Sequence, residues 1–165
     1  MAHAVYVTAY MPASGVPAAA YTRIPEAAGD RVAPLVKGDP ARLGALRLDF
    51  ATDDPAYRQG LREAFYGDVD PALAEAATGL LTPDGPLSIM TGTTTYTRDG
   101  FGSVPRTYIV CTQDMAIRPA LQAKFIEEAD AAFPANPTSV IRLDASHSPF
   151  LSKPDELAGI LAGLG

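Results

Sequence analysis

The chain has 165 residues, 47% hydrophobic and 19% charged, with 13 Lys and Arg against 19 Asp and Glu and a formal net charge of −6. Such values describe one ordinary globular domain, long enough to bury a core, and argue against disorder. An acidic chain with no basic run is a poor binder of nucleic acid or anionic membranes, one Cys excludes an internal disulfide framework, and two His (His3 and His147) argue against a dedicated metal site. No stretch reaches the roughly 18 apolar residues of a membrane helix. No basic residue precedes the apolar N-terminal run, so it does not read as a signal peptide. The expectation is a cytoplasmic α/β domain without metal or organic cofactor.

In chain order, residues 3–11 are uncharged and β-branched, aromatic or small, and read as a strand buried on both faces. Pro12 and Gly15 end it. A short strand follows near Leu46–Phe50, then two helices near Pro55–Phe65 and Asp70–Leu81. Thr91–Thr97 has β-propensity without apolar alternation. Residues 12 to about 100 hold most of the Pro and Gly and read as an insertion between sheet strands. It is either a lid over a ligand site or a plain connecting excursion. A second apolar run, Arg106–Thr112, precedes a helix over Pro119–Phe133, whose Ala120, Leu121, Phe125 and Ala129 fall near helical spacing. A third run spans Thr138–Asp144. Pro154, followed by two acidic residues, starts a last helix, with Ser152 as its expected cap. The C-terminal sixty residues therefore read β-α-β-α, a parallel sheet with helices on its faces.

Asp114 lies just past the second run and His147 just past the third. Loops beyond the C-terminal ends of neighbouring parallel strands converge on one crevice. There a carboxylate can hold the imidazole tautomer and stabilise the imidazolium. Asp114 can equally cap the helix that follows, and His147 can be a plain loop residue. Asp144 is a rival partner for His147 but too local to orient the ring. No Gly-x-Ser-x-Gly elbow occurs in the chain. Cys111, late in a buried strand, reads as packing rather than as a nucleophile. Gly100-Phe-Gly102-Ser precedes a strand and opens no helix, so a phosphate cradle fails its context.

Two segments carry a more specific resemblance: Gly100-Phe-Gly-Ser-Val-Pro-Arg-Thr-Tyr-Ile-Val-Cys-Thr-Gln-Asp114 and Ala145-Ser-His-Ser-Pro-Phe-Leu-Ser-Lys-Pro-Asp-Glu-Leu157. Together they resemble the C-terminal part of an α/β-hydrolase of the plant methylesterase and hydroxynitrile lyase group. Ala64-Phe-Tyr-Gly-Asp-Val-Asp70 resembles part of that family's lid, and Val5–Pro12 the strand that leaves the core for it. The resemblance implies a core strand over 1–12, a lid-like insertion over 13–100, and a core β-α-β-α over 101–165. It implies Asp114 as triad acid and His147 as triad base, acting on a small-molecule ester. Met115 and Ser148 adjoin them as substrate-binding candidates. In hydroxynitrile lyases of this group a Lys follows the base; here Ser148 does, which favours ester hydrolysis. The family's serine elbow and oxyanion hole would precede residue 1, so the chain alone is expected to be inactive. Three readings follow: the C-terminal portion of a serine esterase, one half of a two-chain esterase, or a non-catalytic binding module. A bare strand at residues 3–11 would also invite self-association or a partner chain.

Overall fold

A computed structural model describes residues 3–164. The elements in chain order are β1 (Ala4–Val7), α1 (Pro40–Leu43), β2 (Ala45–Arg47), α2 (Pro55–Phe65), α3 (Pro71–Thr78), β3 (Asp84–Pro86), α4 (Ser88–Thr91), β4 (Arg106–Cys111), α5 (Pro119–Ala132), β5 (Ser139–Leu143), α6 (Pro149–Ser152) and α7 (Pro154–Ala162). Short 3-10 turns occupy Ala18–Arg23, Pro25–Ala27, Ala33–Leu35 and Phe101–Ser103.

The main sheet has the order β1-β4-β5, all parallel, with Tyr6 opposite Tyr108 and Ile109 opposite Ile141. Every residue of β4 is buried. Its side chains alternate: Tyr108 and Val110 join Leu121, Phe125 and Ala129 of α5, whereas Ile109 and Cys111 join Leu143 and Leu157 of α7. A strand with helices on both faces has no polar side, hence the unbroken run Tyr-Ile-Val-Cys.

β1 departs from the expectation of a long strand buried on both faces. It ends at Val7, and Val5 is 37% exposed. Thr8, at φ 44°, turns the chain off the sheet, and Met11 then packs beside Tyr108 and Phe125. Among the described residues β1 pairs only with β4, which leaves its outer edge open.

Between β1 and β4 lies a helical, lid-like insertion. Proline is a local signal here: it occupies the first turn of α1, α2 and α3, and Asp39, Asp54 and Asp70 each cap the next helix by accepting from the main chain. The Leu46–Phe50 strand is shorter than expected and pairs antiparallel with Asp84–Pro86. That partner carries Gly and Pro and gives no apolar alternation to read. Thr91–Thr97 forms no strand. Its β-propensity loses to pinning by the loop after β1, where Gly15 N donates to Thr94 O and Tyr96 N to Ser14 Oγ.

Ser152 is not the cap expected for the last helix. It ends α6, its hydroxyl is buried without a partner, and Lys153 precedes Pro154 with no side-chain cap.

Candidate active site

Asp114 lies in the turn between β4 and α5, and His147 lies between β5 and α6. Because β4 and β5 are parallel neighbours, both loops leave the sheet at the same end. His147 Nδ1 sits 3.0 Å from Asp114 Oδ2 and 3.1 Å from Oδ1. Asp114 is fully buried, and more donors surround it. Ala116 N and Ile117 N donate to Oδ1 at 2.8 Å, and Gln122 Nε2 to Oδ2 at 3.2 Å. A carboxylate only accepts, so the arrangement places the proton of the neutral ring on Nδ1. Nε2 is then the free basic nitrogen, and it makes no hydrogen bond among the described residues. Asp114 does not cap α5, whose N-cap is Arg118 with no side-chain cap; instead the same Oδ1 that faces the ring accepts from Ala116 N and Ile117 N and closes the turn before the helix.

Further contacts fix the ring. Thr8 Oγ1 donates to the main-chain carbonyl of His147 at 3.1 Å. Thr8 is the sole non-glycine residue with positive φ among the described residues, a costly state for a β-branched side chain. Phe65, the last residue of α2, meets the imidazole edge-on at a centroid distance of 5.6 Å. Ser146 Oγ donates to Asp68 of the turn between α2 and α3. None of Gln122, Thr8, Phe65 or Asp68 was a sequence candidate. Gln122 reads as an ordinary polar helix position, whereas Phe65 and Asp68 both fall within the Ala64–Asp70 segment that resembles part of the lid.

Asp144 is not a partner of His147. It is exposed and accepts from Gln113 Nε2 at 2.8 Å and Thr112 Oγ1 at 3.0 Å, bonds that hold its carboxyl below the usual range. Met115, beside Asp114, is half-buried; its carbonyl accepts from Arg31 N and its sulfur touches Arg118. Ser148, beside His147, is buried, and its carbonyl starts α6. Cys111 is fully buried, and its thiol is pushed up to about 12, by burial first and then by Asp114 and Asp68. It has no nucleophilic character at neutral pH. A cleft of ≈ 490 Å³ opens between α2 and α3, lined by Arg58, Leu61 and Glu75 among others, and neither Asp114 nor His147 borders it. Among the described residues no three His, Cys, Asp or Glu side chains are grouped to share a metal ion. No described helix is long and apolar enough to cross a membrane.

Residues 1–160 match the alpha/beta hydrolase family. The chain belongs to that family. Methylesterase 9 of Arabidopsis thaliana is 43% identical over 70 residues, which cover 42% of this chain and 25% of that protein. The crystal structure of a pyrethroid hydrolase from Sphingobium faniae JZ-2 is similar at 26% identity and a TM-score of 0.76 over 98% of this chain. Polyneuridine aldehyde esterase, at 20% identity and a TM-score of 0.71, shares the fold. The chain spans 60% of the length of the pyrethroid hydrolase and 62% of that of polyneuridine aldehyde esterase.

Proposed function

We propose that this alpha/beta hydrolase chain is the C-terminal part of a serine-type carboxylic-ester hydrolase, with Asp114 as triad acid and His147 as triad base. One observation carries the reading: a fully buried carboxylate, held by three other donors, sits 3.0 Å from the Nδ1 of a ring whose Nε2 is free. That is the arrangement a general base needs. In this reading Nε2 takes the proton of a serine hydroxyl as the serine attacks the ester carbonyl. His147 then protonates the leaving alcohol and later activates water against the acyl-enzyme. Asp114 orients the ring throughout. The serine and the oxyanion donors lie outside these 165 residues, in a preceding segment or in a separate chain. Residues 13–100 form the lid, with Met115 and Ser148 bordering the substrate cleft. The open edge of β1 receives the strand of the complementary part or of a second copy.

The test starts from the protein in its own cells, isolated with an antibody to residues 100–165. It should hydrolyse p-nitrophenyl esters and take a fluorophosphonate label, on a species larger than 17.3 kDa or on a chain bound to this one. His147→Ala or Asp114→Asn should lower turnover by about 10³–10⁴-fold. Near-normal turnover in either variant overturns the assignment. Ligand binding that survives His147→Ala, with no hydrolysis in the parent, would replace it with the binding-module reading.

A further inference from the structure

The turn between α2 and α3 docks on the loop that carries His147 through three kinds of contact. Phe65 meets the imidazole edge-on. Tyr66 and Val69 form an apolar cluster with Leu151 of α6. Between these, Asp68 accepts from Ser146 Oγ, one residue before the base, and Gly67 lies alongside, where an added Cβ would make ordinary contact with Ser146 Cβ at 3.6 Å. Only one oxygen of Asp68 is used. Oδ2 is buried and has no partner. Leaving a carboxylate oxygen buried and unpaired is costly. A residue chosen only to fill the turn would not carry that cost.

We propose that Asp68 is a positioning residue: its bond to Ser146 latches the lid-like insertion onto the His147 loop and keeps the imidazole seated on Asp114. This rests on the acid–base reading of those two residues. The latch acts through the main chain. Ser146 precedes His147, and Thr8 holds the carbonyl on the other side, so the ring-bearing residue is clamped from both ends. When the lid lifts, Ser146 loses its acceptor, Phe65 leaves the ring edge, and the imidazole is free to turn away from the carboxylate. The base is therefore correctly placed only with the lid down.

Three variants, Asp68→Ala, Ser146→Ala and the pair combined, separate a latch from a filler. Amide hydrogen exchange on this chain should quicken about ten-fold over residues 65–69 and 144–148 in each single variant. The double variant should be no worse than either single one, because both remove the same bond. Protection of β4 reports that the fold survives. The low-field Nδ1 proton resonance of His147 should broaden or vanish in the alanine variants. Asp68→Asn keeps the shape and an acceptor for Ser146, so it should retain the resonance. In the ester-hydrolysing protein, Asp68→Ala should lower kcat by about 10–100-fold with little change in KM. Additive effects, or unchanged exchange over 144–148 with an intact His147 resonance, overturn the latch. Exchange needs no turnover, so the latch is tested even if the esterase reading falls. Conversely, loss of turnover in His147→Ala with a silent Asp68→Ala removes the latch alone.

Discussion

Asp114 is a carboxylate with no solvent access, and its neighbourhood is built around that fact. Two main-chain N–H groups, the Gln122 amide and the His147 imidazole supply its donors, while Gln122 Oε1 is left buried and unpartnered. The meeting of Asp114 and His147 was legible from their places beyond two strand ends together with a motif resemblance. Gln122 was not, because one polar residue on a helix carries no sign of what it will face. Cys111 illustrates the same locality with a measurable consequence. Its thiol has an ordinary value of 9.0 and is pushed up to about 12 in the fold. Below pH 9 it is protonated in both states. Between 9 and 12 the unfolded chain loses the proton and the folded chain keeps it, so the unfolded state binds fewer protons and stability falls as pH rises. The slope approaches at most about 1.4 kcal/mol per pH unit. Tyr21, raised from 10.0 to about 12, adds its loss only above pH 10. Urea unfolding from pH 8 to 11 should therefore show a decline beginning near pH 9, and Cys111→Ala should remove the part of it between pH 9 and 10 while the tyrosine part above pH 10 remains. A decline that survives this substitution between pH 9 and 10 would refute the account.

At the scale of elements, the strands and helices of the C-terminal half matched their sequence patterns to within a residue or so, because burial on both faces and proline at helix starts are short-range signals. The β-propensity of Thr91–Thr97 failed because its backbone groups found partners in the loop after β1. The turn before β4 shows what close packing asks of Gly102, for which a phosphate cradle failed its context. Arg106 is buried, donates to Thr138 Oγ1 and the Asn136 carbonyl, and lies under the rings of Phe101 and Phe133. Gly102 lets this layer close: a Cβ there would sit 2.5 Å from Phe133 Cδ1. The ring has little room to yield, because it packs on Phe101 at 5.5 Å. Gly102→Ala should cost about 1–3 kcal/mol by overpacking, read as a lower urea midpoint with unchanged slope. A change below about 0.5 kcal/mol, the usual range of surface substitutions, would show that the ring moves freely.

For the whole molecule, the open edge of β1 dominates. β1 carries no charge, Val5 is exposed on it, and Val140 on β5 is 44% exposed. Unpaired edges of this kind recruit other strands. The chain by itself should self-associate, seen in sedimentation velocity as a mass that rises with concentration, and Val5→Lys should suppress the rise. A stable monomer across the concentration range would refute this. Sequence alone determined the parallel β-α-β-α of the C-terminal half, the proline-led helices and the two residues beyond neighbouring strand ends. Each of these depends on contacts within a few residues or on a topological rule that follows from them. Only the tertiary structure decided that β1 stops at Thr8, that Gln122 and Thr8 brace the Asp114–His147 pair, and that Asp68 reaches Ser146. Those contacts join residues far apart in the chain, through single side-chain hydrogen bonds that leave no periodic trace along it.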